Sequence, residues 1–298
     1  MCLPALSLLR QAGYSLTLCG RPWAGDLFTG LAPEQFIPLG QSFRDDLQAV
    51  RIAARARLPR GIVFTNSFSS AALFRLAGVP AAGYRGDARS LLLKWPQKKP
   101  AGRHEVEVFY ELARAALADW EPGSVSPPRP GPRLKLPITA AHRQAADRAL
   151  ADAGLTGPFV LLAPVATGLH HGKPKAWPLF GELVQALRAH GWTCAVCPPP
   201  NELESTRLAA PGALVLPSLK LGAFAALTTR AQVVICNDSG TSHVAAAAGA
   251  RQITLFGVTR WDRTGPWSPD ATCLGSDTAW PPLAEVADTA LSQLKQAS

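Results

Sequence analysis

The residues best suited to chemistry follow an apolar run at 233–236. There the sequence reads Cys-Asn-Asp-Ser-Gly-Thr-Ser-His over 236–243 and continues into an alanine-rich helical pattern. Asp238 would lie at the carboxyl end of a strand, Ser239 could cap the next helix, and Gly240 would let a ligand approach the backbone. Because free amides and the positive dipole end meet in a helix's first turn, a diphosphate would fit there. An ordinary capped turn explains the pattern equally well.

A second polar segment follows the apolar run at 159–163. Small and hydroxyl residues, among them Thr167, come first, and Lys173 and Lys175 follow. Lysine ammonium groups at this place could neutralise phosphate charge. A solvated surface loop is the alternative interpretation of two lysines. The glycine- and tryptophan-containing loop at 255–267 could cover a base or a sugar, or be a well-packed surface loop.

Several familiar motifs are absent from the sequence. It contains no Gly-x-Gly-x-x-Gly, no Gly-x-x-x-x-Gly-Lys-Ser/Thr and no Gly-x-Ser-x-Gly. It also lacks an Asp-x-Asp that could hold a metal on a nucleotide-sugar. These gaps argue against a dehydrogenase, a P-loop ATPase, an esterase and a metal-dependent transferase.

Short apolar runs alternating with helical patterns would position these residues. In the C-terminal half we predict strands at 159–163, 193–197, 213–216, 233–236 and 252–256, and helices at 179–189, 203–209, 221–230 and 241–248. This alternation predicts a parallel sheet covered on both faces, which binds ligands at the carboxyl ends of its strands. In the N-terminal half we predict strands at 14–19 and 61–66 and a helix at 106–117. The proline-rich stretch 121–137 is typical of a linker.

Composition bounds the class of protein. The 298 residues are enough for two domains, and 47% hydrophobic with only 17% charged residues argues against a disordered chain. The net charge of +9 indicates anionic partners, although no nucleic-acid motif or dense Lys/Arg run is present. We expect no secretion signal and no transmembrane helix. The six scattered cysteines, including Cys194 and Cys197, are interpreted as buried thiols rather than metal ligands.

The motifs together resemble a known family. The run 237–247, followed by 255–257 and 263–266, is similar to the Asp-Ser/Thr-Gly-x-x-His and Phe-Gly-x-Thr patterns of the lipopolysaccharide heptosyltransferases of glycosyltransferase family nine. The Lys-x-Trp-Pro of that family matches 175–178. In the N-terminal half, 66–71 and 83–89 resemble the acceptor-side motifs of the second heptosyltransferase type. The resemblance spans nearly the whole chain.

The resemblance implies an α/β fold of the GT-B class, with two Rossmann-like domains whose parallel sheets face each other across a cleft. Residues 1–132 would be the acceptor-side domain and 133–298 the donor domain, with the last helix a candidate to pack back on the first domain. The implied activity is inverting, metal-independent transfer of heptose from ADP-L-glycero-D-manno-heptose to the lipopolysaccharide inner core. The acceptor would be Kdo- or heptose-bearing lipid A at the cytoplasmic face of the inner membrane. No cofactor, metal or nucleic acid is implied, and we expect a monomer.

The resemblance also implies roles for individual residues. Lys175 would neutralise the diphosphate as ADP leaves, and Asp238 would hydrogen-bond heptose hydroxyls; these two are the catalytic candidates. The donor-binding candidates are Thr167, Lys175, Glu202, Asp238, Ser239, Gly240, Thr241 and His243. The acceptor-binding candidates are Asn66, Ser67, Arg85 and Arg89.

One part of the family pattern has no match. In the family, the catalytic base is an Asp in a Gly-Asp loop after the first strand, ahead of a helix that resembles 1–6 of this sequence. That strand and loop are absent from the 298 residues, and Gly25-Asp26 follows a later strand and is not given the role. We therefore expect a truncated or late-start chain, or a paralogue without that base, with weak or no transfer and ADP binding retained. The alternatives are a nucleotide-sugar-binding protein and a transferase of another sugar on the same scaffold.

Overall fold

The structure, a computed structural model, describes residues 1–55, 59–123, 126–170 and 172–296. The chain divides into two units, Met1–Gly131 and Pro132–Ser298. The division lies within the proline-rich stretch 121–137 and one residue before the boundary expected from the sequence.

Unit 1 alternates helices with short parallel strands. Its helices are α1 (Leu3–Gln11), α2 (Pro22–Leu27), α3 (Phe43–Arg55), α4 (Phe68–Leu76) and α5 (Glu105–Trp120). Its strands are β1 (Thr17–Gly20), β2 (Gln35–Pro38), β3 (Gly61–Val63), β4 (Ala81–Tyr84) and β5 (Trp95–Gln97). β1 and β2 form one parallel pair, and β3, β4 and β5 form a separate parallel sheet in that order.

Helices cover the strands of unit 1, and two of its apolar clusters show how. α1 packs along α5, and Leu8 and Leu9 of α1 meet Leu117 of α5 in a cluster that also contains Ala82 of β4. The second cluster joins α3 and α4 to β2 through a set of small and branched side chains. α5 begins at a capping box in which His104 Nδ1 accepts from Val106 N and the carboxylate of Glu107 accepts from His104 N.

Unit 2 contains a longer and more regular alternation. Its helices are α6 (Ala140–Asp152), α7 (Phe180–Ala189), α8 (Leu203–Ala209), α9 (Leu221–Thr228), α10 (Gly240–Ala248), α11 (Trp261–Thr264) and α12 (Leu283–Lys295). Its strands are β6 (Phe159–Ala163), β7 (Leu169–His170), β8 (Lys173–Pro174), β9 (Thr193–Val196), β10 (Leu214–Val215), β11 (Val233–Asn237), β12 (Gln252–Phe256) and β13 (Ala271–Gly275).

The main sheet of unit 2 is parallel and has the order β10-β9-β6-β11-β12-β13. α7 and α12 pack in an apolar cluster on one face, and α6, α9 and α10 contribute to a cluster on the other. β11 and β12 are buried at every residue, as expected for strands covered on both faces. The predicted doubly covered parallel sheet is therefore confirmed. The last helix, α12, is buried in this unit through Val286, Ala290 and Leu294.

One strand boundary and one hairpin differ from the sequence prediction for local reasons. β3 ends at Val63 rather than at 66, because Ser67 caps α4 by accepting a hydrogen bond from Ser70 N at 3.2 Å. The antiparallel hairpin of β7 and β8 was not predicted, since two-residue strands leave no periodic pattern. Among the described residues, no helix combines the length and the apolar character that crossing a membrane requires.

The reactivity of the cysteine thiols tests whether they are buried in the folded chain. Burial raises the pKa of Cys19, Cys194, Cys197 and Cys273 to about 11, and that of Cys236 to about 12. At pH 8 we expect the thiols of pKa about 11 to be alkylated on the order of 100-fold more slowly than a free thiol of pKa about 8.5, and Cys236 on the order of 1000-fold more slowly, because thiolate is the nucleophile. The rate should rise about tenfold per pH unit until the pKa is reached.

Mass spectrometry after timed iodoacetamide pulses measures these rates, with the urea-unfolded chain as the control. Since folding raises these pKa values, the thiols' contribution to stability is complete below about pH 8.5 and is lost as the pH rises toward 11. Native rates equal to those of the unfolded chain at pH 8 would contradict the burial of the thiols.

Candidate functional site

A buried carboxylate lies at the carboxyl end of the unit 2 sheet. Asp238 follows β11, and its side chain is 8% exposed. Its Oδ2 accepts a hydrogen bond from Thr259 Oγ1 at 2.7 Å and lies 3.2 Å from Lys175 Nζ. We call Lys175, Asp238 and Thr259 the Asp238 cluster. The two partners offset the loss of water around the carboxylate, and Lys175, whose side chain is 25% exposed, keeps donors for a second anion.

Strand order explains why these residues meet. β11 lies between β6 and β12, so the segments that follow these three strands leave the same edge of the sheet. Asp238 comes directly after β11, and Thr259 follows β12 by three residues. Lys175 comes directly after β8, in the long connection from β6 to α7.

Asn237 ties this connection to the sheet. Its side chain is fully buried, and its Oδ1 accepts from Trp177 N at 2.8 Å while its Nδ2 donates to Pro164 O at 2.8 Å. Trp177 is itself anchored, because its indole N–H donates to Pro281 O at 3.0 Å and its ring packs edge-on against Phe180. Asn237 therefore holds the residue two positions after Lys175, and so restricts where the lysine can reach.

The start of α10 lies beside Asp238 in the chain. Ser239 caps the helix, since its Oγ accepts from Thr241 N at 3.3 Å, and Ser242 Oγ donates to Ser239 O at 2.8 Å. Gly240 is exposed, and a Cβ built on it would meet open space. The helix start follows Asp238 directly in the chain, and the Lys175 ammonium lies 3.2 Å from its carboxylate, so two sources of positive charge lie beside Asp238. This arrangement is suited to an anionic group.

The remaining donor candidates lie at the same kind of position in the sheet. Thr167 is exposed in the connection after β6, and Glu202 is half-buried in a short turn between β9 and α8. His243 and Thr241 are half-buried in the first turns of α10. Within the part of the chain that the structure describes, no hydrogen bond links Thr167 or Glu202 to the Asp238 cluster, and their roles stay predictions.

The acceptor candidates lie in unit 1, after β3 and β4. Asn66, Ser67 and Arg85 are exposed. Arg89 was expected to face an acceptor, but its side chain is only 3% exposed. Its guanidinium donates to Thr65 O at 2.6 Å and to Asn66 Oδ1 at 3.2 Å, and burial lowers its pKa from the ordinary value. The buried Arg89 thus supports, from the inner side, the loop that contains Asn66.

This position of Arg89 can be tested by stability. Arg89→Ala should destabilise unit 1 by about 1–3 kcal/mol, because the Thr65 carbonyl and the Asn66 side chain lose a charged donor. The exposed Arg85 is the control: Arg85→Ala should change stability by less than about 0.5 kcal/mol. Urea unfolding followed by tryptophan fluorescence measures both variants. Equal effects would show that Arg89 does not hold the loop.

Two residues of the site were not chosen as candidates from the sequence. The sequence assigns Thr259 only to a covering loop and Asn237 only to the motif at 237–247. The sequence around a loop hydroxyl does not indicate which residue it will contact, and the partner of Thr259 is 21 residues away. An asparagine at the end of a strand is equally common in ordinary capped turns, so Asn237 did not stand out. The apolar run ending at a polar pair, Asn237-Asp238, was the one usable signal.

Comparison with known proteins places the chain. Residues 53–291 match the profile of glycosyltransferase family 9 (heptosyltransferase). Lipopolysaccharide heptosyltransferase 1 of Pseudomonas aeruginosa is 32% identical over 133 residues, which are 43% of this chain and 37% of that protein. The match thus spans little more than a third of the length of the curated relative.

Solved structures agree over nearly the whole chain. Heptosyltransferase II of E. coli has a TM-score of 0.75 at 22% identity, covering 99% of this chain and 95% of its own. A family 9 glycosyltransferase from Veillonella parvula has a TM-score of 0.81 at 16% identity, covering 99% and 93%. E. coli heptosyltransferase WaaC, solved with ADP, has a TM-score of 0.74 at 22% identity, covering 100% and 95%. These likenesses confirm the predicted α/β fold of the GT-B class.

The family profile covers most of the chain, including all three residues of the Asp238 cluster. The predictions of a glycosyltransferase and of its family are confirmed. The chain belongs to glycosyltransferase family 9, the heptosyltransferases.

Proposed function

We propose that this protein transfers heptose from ADP-L-glycero-D-manno-heptose to the inner core of lipopolysaccharide, with inversion at the sugar. The Asp238 cluster next to the start of α10 is the observation that carries the proposal. The ADP held by the similar E. coli WaaC supports the choice of donor. The acceptor would be Kdo- or heptose-bearing lipid A. The protein would act on it as a monomer at the cytoplasmic face of the inner membrane.

The proposed mechanism uses the cluster for the leaving group. As the bond from the sugar to the diphosphate breaks, negative charge grows on the phosphate oxygens. Lys175 and the first amides of α10 would stabilise that charge, without requiring a metal ion in this role. Asp238 would hold Lys175 in place and accept hydrogen bonds from heptose hydroxyls. Thr167, Glu202 and His243 would complete the donor site.

The acceptor side of the proposal rests on unit 1. The exposed Arg85 would meet the anionic core, and Asn66 and Ser67 would bind its hydroxyls, with Arg89 holding Asn66 from behind. A carboxylate must also take the proton of the attacking hydroxyl. The family's residue for this task has no matched counterpart in residues 1–298, so we expect these residues to bind ADP and to transfer heptose only weakly.

Two measurements test the proposal. Isothermal titration with ADP, UDP and GDP should give binding for ADP alone, and transfer is followed with ADP-heptose and Kdo-lipid A or heptosyl-Kdo-lipid A. ADP binding with weak transfer is the expected result. ADP binding without any transfer would favour a nucleotide-sugar-binding protein. Tight binding of UDP or GDP without ADP would overturn the donor and indicate another sugar.

A further inference from the structure

An exposed tryptophan follows the Asp238 cluster closely in the chain. Trp261 is the first residue of α11 and is 52% exposed. Among the described residues of unit 2 it is the only phenylalanine or tryptophan that is exposed. A single exposed apolar side chain is common on protein surfaces, so what distinguishes Trp261 is where it lies and how its backbone is held.

Trp261 lies near the buried carboxylate because of its distance along the chain. Two residues span at most about 7 Å, so the Cα atom of Trp261 lies within about that distance of the Cα atom of Thr259. Thr259 Oγ1 in turn donates to Asp238 Oδ2 at 2.7 Å. A small ring that hydrogen-bonds to Asp238 is therefore within reach of the indole.

Short-range contacts fix the turn that carries Trp261. Gly265 N donates to Trp261 O at 2.8 Å, and a Cβ built on Gly265 would lie only 2.5 Å from that oxygen, so the backbone closes tightly there. The guanidinium of Arg260 makes two hydrogen bonds to the carboxylate of Asp262, at 2.8 and 3.1 Å. The indole is thus carried by an ordered backbone, and a ligand that covers it does not have to order a loose loop first.

The chemistry of an exposed indole suits one part of the proposed donor. The face of the ring carries negative charge density, which attracts the C–H bonds on the face of a sugar ring, and its large flat area displaces water. In the proposed mechanism Lys175 and the start of α10 hold the diphosphate, whereas Asp238 accepts from heptose hydroxyls. The sugar is therefore the part of the donor that lies nearest Thr259 and the turn after it.

We propose that Trp261 stacks on the sugar ring of the nucleotide-sugar donor and contributes to the selection of that sugar. The inference rests on the proposed function, because it takes Asp238 as the partner of the sugar hydroxyls. Hydrogen bonds at Asp238 fix the edge of the ring, and the indole covers one of its faces. ADP has no such sugar and gains nothing from Trp261, which makes ADP the internal reference.

The test compares ADP with ADP-L-glycero-D-manno-heptose on the full chain by isothermal titration. We expect Trp261→Ala to weaken binding of ADP-heptose about three- to tenfold and to leave the ADP affinity within about twofold. Trp261→Phe keeps an aromatic face and should lose less than Trp261→Ala. Trp23→Ala is the matched control, since Trp23 is a tryptophan of similar exposure, 57%, in unit 1, and it should change neither affinity.

Tryptophan fluorescence provides a second readout. ADP-heptose should change the emission of the original chain more than ADP does, and Trp261→Ala should abolish this difference. Equal losses of affinity for ADP and ADP-heptose would place the indole on the nucleotide and overturn the proposal, as would an unchanged affinity for ADP-heptose. Where the original chain binds ADP, either result contradicts Trp261 alone. An original chain that does not bind ADP contradicts the proposed function, and the role of Trp261 fails with it.

Discussion

Lys175→Ala should weaken ADP binding by roughly 10- to 100-fold, equivalent to the 1.5–3 kcal/mol of a hydrogen bond to a charged group. The effect on transfer, in a form of the enzyme that turns over, should reach about 100-fold, because negative charge on the leaving diphosphate grows between the ground state and the transition state. Isothermal titration with ADP gives the first number, and product formation at saturating donor gives the second.

Lys173 supplies the matched control for this prediction. It lies in the same connection, two residues earlier and exposed, and has no ion pair with Asp238. Lys173→Ala should leave the ADP affinity within about twofold, since an exposed lysine on a loop contributes little beyond screened charge. If both variants lose the same affinity, general basic charge rather than the position of Lys175 explains ADP binding.

Asn237→Ala should destabilise unit 2 by about 2–5 kcal/mol, because it leaves Trp177 N and Pro164 O buried without a partner. For a unit of this size the unfolding midpoint should fall by roughly 5–15 °C. Asn201, which is exposed, is the control, and Asn201→Ala should stay within about 0.5 kcal/mol of the original chain. Scanning calorimetry with and without ADP measures both variants.

Asn237→Asp separates the effect of losing the hydrogen bond from Trp177 N from the effect of losing the one to Pro164 O. The carboxylate can still accept from Trp177 N, but it cannot donate to Pro164 O, so its loss of stability should differ from that of the alanine variant. At temperatures where Asn237→Ala is still folded, its ADP affinity should also fall, since Lys175 is less restricted. An unchanged midpoint for the alanine variant would show that Asn237 does not join the two loops.

The regular part of unit 2 could be predicted because its central strands are continuous apolar runs in the sequence. Val233-Val234-Ile235-Cys236 and Phe159-Val160-Leu161-Leu162 contain no polar residue, as burial on both faces requires. Unit 1 was harder. β2 is Gln-Phe-Ile-Pro and β5 is Trp-Pro-Gln, short strands that contain proline and carry no clear period.

The site was predictable where chemistry is local. Asp238, Ser239 and Gly240 follow one strand and open one helix, so their neighbours in space are their neighbours in sequence. The contact between Asp238 and Thr259, which follows β12, depends on strand order, and the sequence of either segment does not encode that order. For Arg89 the sequence prediction was wrong about exposure. A basic residue in a motif suggested a side chain that faces a ligand, but the side chain is buried and donates to the Thr65 carbonyl.

The central place of β6 also governs how unit 2 can fold. Val160 of β6 pairs with Val233 of β11, 73 residues further along the chain, whereas β9 and β10, which come earlier in the chain than β11, lie on the other side of β6. Pairings of such long sequence separation slow folding, because the connecting loop must be ordered before the contact stabilises it. During synthesis from the amino end, one edge of β6 therefore stays unpaired until β11 has been made. For that interval the most apolar strand of the unit is the one most exposed to aggregation.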